Sequence, residues 1–310
     1  MSNEVLTVSP QTLQVMKTYY ASALKPITPS GGLFAAKKNT VNITAYLSGK
    51  VLFQGSTANQ EAAIWADKSS QVTASKKTKN NLNTPLPKDF KQWSVIGSDE
   101  VGNGSYFGPL TVVATYADKS QFSLLRELGV RDSKDMTDSE IIRVASDLIT
   151  FLPHSLLTVT PQKYNAIQPT MTQGKMKAVL HNQALGHVLT KIHPIVPDGI
   201  LIDQFELPAT YFKHIQDQPK QIKEKLYFQT KGESHHLAVA AASIIARYAF
   251  LNSLDAMTKD AGIAIPSGAG SNVDLVAAKL LKRGGLPLLG NYAKLHFANT
   301  QKAQKIAGLR

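Results

Sequence analysis

The sequence predicts an α/β chain in which a mixed sheet flanked by helices follows a small N-terminal α+β domain. Three observations carry this prediction. Apolar runs at 94–100 and 109–117 flank a glycine turn, the pattern of a hairpin. Further apolar runs near 154–160, 198–203 and 225–230 alternate with helical spacings, and a hairpin followed by helix-linked strands gives a mixed sheet with helices on its faces. Upstream, residues 33–54 hold three short strand-like runs, and a polar, Lys-rich stretch at 67–91 has linker composition. The expected division is therefore a first domain at 1–66, a linker at 67–91 and a second domain at 92–310.

In chain order, Leu13, Met16, Tyr19, Tyr20 and Ala23 share a helical face, so 11–23 is predicted as a helix that Pro26 and Pro29 end. Runs at 33–36, 41–47 and 51–54 read as strands, with a short turn at Ser48-Gly49-Lys50 between the last two. A second helix is expected at 59–66. In the second domain, helices are expected near 121–128, 138–151, 173–192, 235–257 and 272–283. Asp138-Ser139-Glu140 supplies helix-start chemistry, and Ser234 stands before a long Ala-rich run.

Composition narrows the function. There are no cysteines, which excludes disulfides, thiolate metal sites and cysteine nucleophiles and is compatible with a cytoplasmic location. No run approaches 18 uninterrupted apolar residues, and the N-terminus lacks the basic-then-apolar order of a signal peptide, so no membrane association is expected. The net charge of +12 and pI of about 9.6 point to a polyanionic partner. Residues 1–90 hold ten Lys, no Arg and four acids, half of that surplus.

The chemistry centres on WSVIGSDEVGNGSYFGP at 93–109. Asp99 and Glu100 end an apolar run, and Gly102-Asn103-Gly104 follows at once. Neighbouring strand residues face opposite sides, so the two acids reach one site only where the strand ends or twists. From these residues alone, a hard-metal site and solvated acids before a hairpin turn remain equal alternatives. GILIDQF places Asp203 at the end of a buried strand, the edge where ligands bind in open α/β sheets. It also fits a cap of the next element. Glu233 lies just before a helix and fits a routine helix-start acid. His235 and His236 are adjacent, not at zinc spacing, so oxygen ligands and Mg²⁺ or Mn²⁺ suit the set best.

DEVGNGSYFGP at 99–109 resembles the first catalytic motif of the type 2 ribonucleases H, and its Tyr106-Phe107-Gly108-Pro109 tail is more similar to the ribonuclease HIII family than to HII. DGILIDQF at 198–205, TKGESHHLAVAAASIIARYAF at 230–250 and AKLHFANTQKA at 293–303 resemble further motifs of that family, in the expected order. The likeness is strong over 90–310 and looser before it. It implies a ribonuclease H-like sheet, and a TATA-box-binding-protein-like substrate-binding domain at the N-terminus. It also implies that Asp99, Glu100, Asp203 and Glu233 are the catalytic carboxylates, holding two Mg²⁺ or Mn²⁺ ions with Asp99 between them. Gly102, Asn103, Gly104 and Ser105, with Ser133 and Lys134 of the family's DSK motif, match substrate-binding positions. The implied reaction is endonucleolytic hydrolysis of the RNA strand of RNA–DNA hybrids, leaving 5′-phosphate and 3′-hydroxyl ends. A monomer is expected. The alternatives are an HII-like preference for single ribonucleotides, which Asn103 opposes, and a non-catalytic binding protein, which the four acids oppose.

Overall fold

A computed structural model of the chain describes residues 2–29, 32–66 and 85–309. They form two compact units, each taken by itself below.

The first unit contains β1 (Ser2–Thr7), α1 (Pro10–Tyr19), β2 (Gly32–Lys38), β3 (Val41–Tyr46), β4 (Lys50–Gly55) and α2 (Ala58–Ala66). Its sheet is antiparallel throughout, in the order β1-β4-β3-β2. β1 goes beyond the sequence expectation. Only Leu6 of this short strand offers a large apolar side chain to the core, so pairing with β4 defines it and periodicity does not. One sheet face packs on Met16, Tyr20 and Trp65 from the helices. The Trp65 indole donates to Tyr20 Oη at 2.8 Å, and Tyr20 donates to Glu61 at 2.8 Å, so the aromatic core keeps its polar atoms paired. The opposite face carries a polar row in register: Asn3, Gln54, Asn42 and Lys37.

The second unit is a mixed five-stranded sheet in the order β7-β6-β5-β8-β9. β5 (Val95–Val101), β6 (Leu110–Ala117) and β7 (His154–Val159) are antiparallel, while β8 (Gly199–Asp203) and β9 (Leu226–Gln229) run parallel to β5. The remaining long elements are α3 (Phe122–Glu127), α4 (Asp138–Phe151), α5 (Pro161–Ile167), α6 (Gln173–Ile192), α7 (Pro208–His214), α8 (Leu237–Ala261), α9 (Ser271–Gly290) and α10 (Ala298–Ala307). α5, α7 and α10 were not expected; the first two are single seven-residue segments and the third is weakly apolar, too little for periodicity to mark. α9 runs past the expected 283 across a break at Gly284 and Gly285, where Gly285 takes φ +65°. The fold thus matches the predicted class, a ribonuclease H-like mixed sheet flanked by helices.

The predicted linker, 67–91, lies largely outside the described residues. Its last part behaves otherwise: Phe90 is buried in the main core of the second unit and Leu86 packs against it, so that core begins before residue 92. The apolar side chains of an otherwise polar stretch set this boundary.

Two helices position the site. α8 and α4 cover one sheet face, and α6 covers the other. α8 is long and apolar enough by length and composition to cross a membrane, but it is a core helix, with Val239, Ala241, Ala242 and Ile245 buried. Its small side chains bring it close to β5. A Cβ added at Gly97 would meet the Val239 nitrogen at 2.2 Å, so only glycine allows this contact. α4 starts with a complete capping box, Thr137 with Glu140, worth about 1 kcal/mol.

Candidate active site

β5 and β8 are adjacent and parallel, with Ser98 level with Ile202. One residue further on come Asp203, the last residue of β8, and Asp99, two residues before the end of β5. Strand alternation splits the acids of β5. Gly97 and Asp99 face α8, whereas Ser98 and Glu100 face α6. Glu233 lies in a short 3-10 turn, Gly232–Ser234, immediately before α8. The structure therefore brings Asp99, Asp203 and Glu233 to the α8 side of the sheet end and holds Glu100 on the α6 side.

Different partners hold the four acids. Asp99 accepts from the Glu100 backbone N–H at 2.7 Å, and Ser243 of α8 adds a second hydrogen bond. Burial, with Asp203 and Glu100 nearby, pushes its carboxyl well above the usual range. Asp203 Oδ1 accepts from the Gly232 N–H at 2.8 Å. Burial again raises its carboxyl, and the charges of Glu233 and Glu100 add to this. Glu100 behaves oppositely. Burial alone would raise it, but Lys177 Nζ at 2.9 Å from Oε1 and His181 Nε2 at 3.0 Å from Oε2 hold it below the ordinary glutamate value. Glu233 Oε1 accepts from Lys134 Nζ at 2.8 Å, and its Oε2 is buried without a hydrogen-bond partner.

Among the described residues, no three His, Asp or Glu side chains are gathered into a ready-made cation cage. The sheet divides the four acids, and Lys177, His181 and Lys134 draw two of them aside. The donor set nevertheless fits a hard divalent ion. Every candidate ligand atom is oxygen, the charge of Asp203 raises Asp99, and Glu233 retains an unpaired buried oxygen.

The remaining sequence candidates divide. Gly102, with φ +95°, begins the turn, and a Cβ there would meet Pro109 O at 2.0 Å. Gly104 is exposed, and a Cβ there would meet nothing within 4 Å, so the fold itself does not require its bareness. Asn103 gives its carbonyl to Gln173 Nε2 at 3.3 Å, and its Oδ1 is buried without a partner. Ser105 is buried, its hydroxyl accepting from the Gly268 N–H at 2.9 Å. Ser133 is buried too, 2.8 Å from the Ser243 hydroxyl, which links it to Asp99 rather than to solvent. Lys134 stays 72% exposed while pairing with Glu233. Arg247 pairs with Asp138 at 2.6 Å and with the Ser133 carbonyl, so it anchors the loop at 133 and touches none of the four acids. His296 is exposed and stacks on Tyr164.

Sequence reasoning missed Lys177 and His181. Their signal is an i,i+4 pair on α6 whose partner Glu100 lies 77 and 81 residues away, which local spacing cannot reveal.

Comparisons with known proteins identify the family. The ribonuclease HII family profile matches residues 96–300, and a domain of unknown function matches 3–78. Ribonuclease HIII of Enterococcus faecalis is 54% identical over 304 residues, covering 98% of this chain and 99% of its own. The chain belongs to the ribonuclease HIII family. Ribonuclease HIII of Bacillus subtilis is 50% identical, covering 99% of this chain and 98% of its own. The crystal structure of Bst-RNase HIII in complex with Mn²⁺ is 41% identical, covers 99% of both chains and superposes with a TM-score of 0.69. The expected family and fold are thus borne out, and the protein is an enzyme of the nuclease class.

Proposed function

We propose that this ribonuclease cuts the RNA strand of RNA–DNA hybrids internally, using two divalent ions, Mg²⁺ or Mn²⁺, held by Asp99, Glu100, Asp203 and Glu233. One observation carries this: Asp99, buried, and Asp203, partly buried, each lie one residue past the paired Ser98 and Ile202 of neighbouring parallel strands, and neither forms an ion pair with a described basic side chain. Carboxylates so placed are unfavourable unless a cation joins them. Divalent ions supply an activated water and offset charge on the reacting phosphate and the leaving oxygen. A water oxygen bonds to phosphorus, the P–O3′ bond breaks and a proton goes to O3′, leaving 5′-phosphate and 3′-hydroxyl ends.

The chain's own residues do the holding and reading. Ser243, the Glu100 N–H and the Gly232 N–H fix the aspartates. Lys134, exposed beside Glu233, is within reach of a backbone phosphate. The bare Gly104 leaves room for a sugar, and Asn103 offers a polar group beside it. The 2′-hydroxyl separates RNA from DNA there. Ser105 and Ser133 act from behind, tied to Gly268 and Ser243. The first unit binds substrate through its polar sheet face, in the manner of a TATA-box-binding-protein-like platform. The enzyme works as a cytoplasmic monomer, with the first unit as the binding domain and the second, its core beginning with Leu86 and Phe90, as the catalytic domain. The test is cleavage of end-labelled hybrid beside duplex DNA carrying one ribonucleotide, with and without Mg²⁺. Mg²⁺-dependent internal cuts in the hybrid support the proposal; cutting only at the single ribonucleotide refutes it.

A further inference from the structure

Glu100 is held more tightly than the other three acids. Lys177 and His181, four residues apart on α6, each take one of its oxygens, and their side chains are 8% and 0% exposed. Ser98 extends the network. Its hydroxyl lies 2.9 Å from the Val113 carbonyl and 2.6 Å from His181 Nδ1, while His181 Nε2 lies 3.0 Å from Glu100 Oε2. The ring cannot turn without losing one of these bonds. Phe205, two residues beyond Asp203, closes the arrangement from β8. Its ring stacks on His181 at 5.1 Å between centroids and lies 4.1 Å from Lys177 Nζ.

We propose that Lys177 and His181 are positioning residues that fix Glu100 as a pre-oriented metal ligand and, through Phe205, tie the carboxylate-bearing ends of β5 and β8 to each other. The proposal rests on the reading of Glu100 as a ligand. A buried ion pair adds little stability over apolar packing, and its best-attested use is fixing register. Each carboxylate oxygen keeps a second lone-pair direction, so the clamp stops rotation without blocking coordination. Mg²⁺ demands near-ideal octahedral geometry at short distance, so a ligand that swings serves it poorly.

The test uses the full chain with K177M, K177R, F205L and E100Q. Mg²⁺ is titrated without substrate while the thermal unfolding midpoint is followed, and hybrid cleavage gives kcat and KM. Residues supporting metal ligands from behind typically change affinity or activity by about 10- to 100-fold. K177M should raise the Mg²⁺ concentration for half-maximal stabilisation about tenfold and lower kcat about tenfold or more, with KM for hybrid within about twofold. K177R should recover most of both, and F205L should fall between. A folded K177M with the wild-type or a lower Mg²⁺ requirement and wild-type kcat overturns the clamp. If K177M does not fold, F205L decides on the same readouts, since it changes no charge; unchanged values overturn the proposal. E100Q separates the two layers. If E100Q keeps the wild-type Mg²⁺ response, the ligand role of Glu100 fails and the clamp with it. If E100Q loses that response while K177M and F205L keep it, only the clamp fails.

Discussion

The two aspartates and the two glutamates of the site live in opposite electrostatic conditions. Glu100 and Glu233 each meet a lysine at under 3 Å, and Glu100 also meets His181. Asp99 and Asp203 meet only N–H and hydroxyl donors, and burial raises both. The difference teaches where the fold leaves negative charge unsettled. Each glutamate has a lysine as its direct partner; neither aspartate has one. The strongest pull on a cation therefore lies between the ends of β5 and β8, and the glutamates shape its surroundings.

The largest effect expected from this contrast is at Asp99. Asp99→Asn should lower kcat at least about a hundredfold, the scale of removing one preorganised electrostatic group, while hybrid binding survives. Single-turnover cleavage in Mg²⁺ with a parallel binding assay measures both. Substantial hydrolysis by the variant would make the aspartates no different from the glutamates. Glu233→Gln should cost less, about tenfold, and more Mg²⁺ should partly offset it, because Lys134 already engages one of that carboxylate's two oxygens. Wild-type rates across a Mg²⁺ titration would reduce Glu233 to a helix-start acid.

A third experiment confines the contrast to one unit. A chain beginning at Asn81 keeps Leu86 and Phe90 in their core and all four acids in place. It should raise KM about tenfold and leave kcat nearly unchanged, since lost remote contacts are uniform between ground and transition states. Its affinity should also fall less steeply with salt, by about 0.7 to 0.9 log units per lost phosphate contact. An unchanged KM and salt slope would return the first unit to a packing role.

The smallest effect on turnover is expected at His236, which serves as a background for the others. It caps α8, accepting from the Ala238 N–H at 3.0 Å through Nδ1 and donating to the Trp93 carbonyl at 3.1 Å through Nε2. Burial lowers its pKa from 6.5 to about 4. Between those values the unfolded chain binds a proton that the folded chain does not, so stability rises with pH across that window. The contribution is complete above 6.5 and is lost as pH falls toward about 4. His236→Asn keeps a cap acceptor and removes the titration, so its unfolding midpoint should fall less between pH 6.5 and 4 than the wild type's. Parallel melting profiles would place the acid sensitivity elsewhere, first at Glu100, whose carboxyl is held below its ordinary value.

Most of the fold was legible in the sequence because the strands of the second unit are long apolar runs bounded by turns. α4 and α6 match their expected limits, since capping residues mark both starts. β1 was not legible, because only its partner strand gives it a face. Within the site, Asp99, Glu100, Asp203 and Glu233 could be read because each stands where an apolar run stops or a helix begins. The division of these acids between two sheet faces could not be read, since it depends on which helix covers which side. Nor could the buried cations of α6, which resemble ordinary surface residues until the strand beneath them is known.

Gly97 has a consequence for precision. Side chains that meet through rotamers can settle into several arrangements, each displaced by a fraction of an ångström. Here a strand backbone rests directly on a helix backbone, with no side chain between them at that point. The positional tolerance of Asp99 against Ser243 is therefore that of two rigid ladders in contact, not that of a packed interior. Such a seat cannot be adjusted by repacking; it is either flush or broken. Differences in rate among chains with this seat are then set by side chains away from it, such as the exposed Lys134.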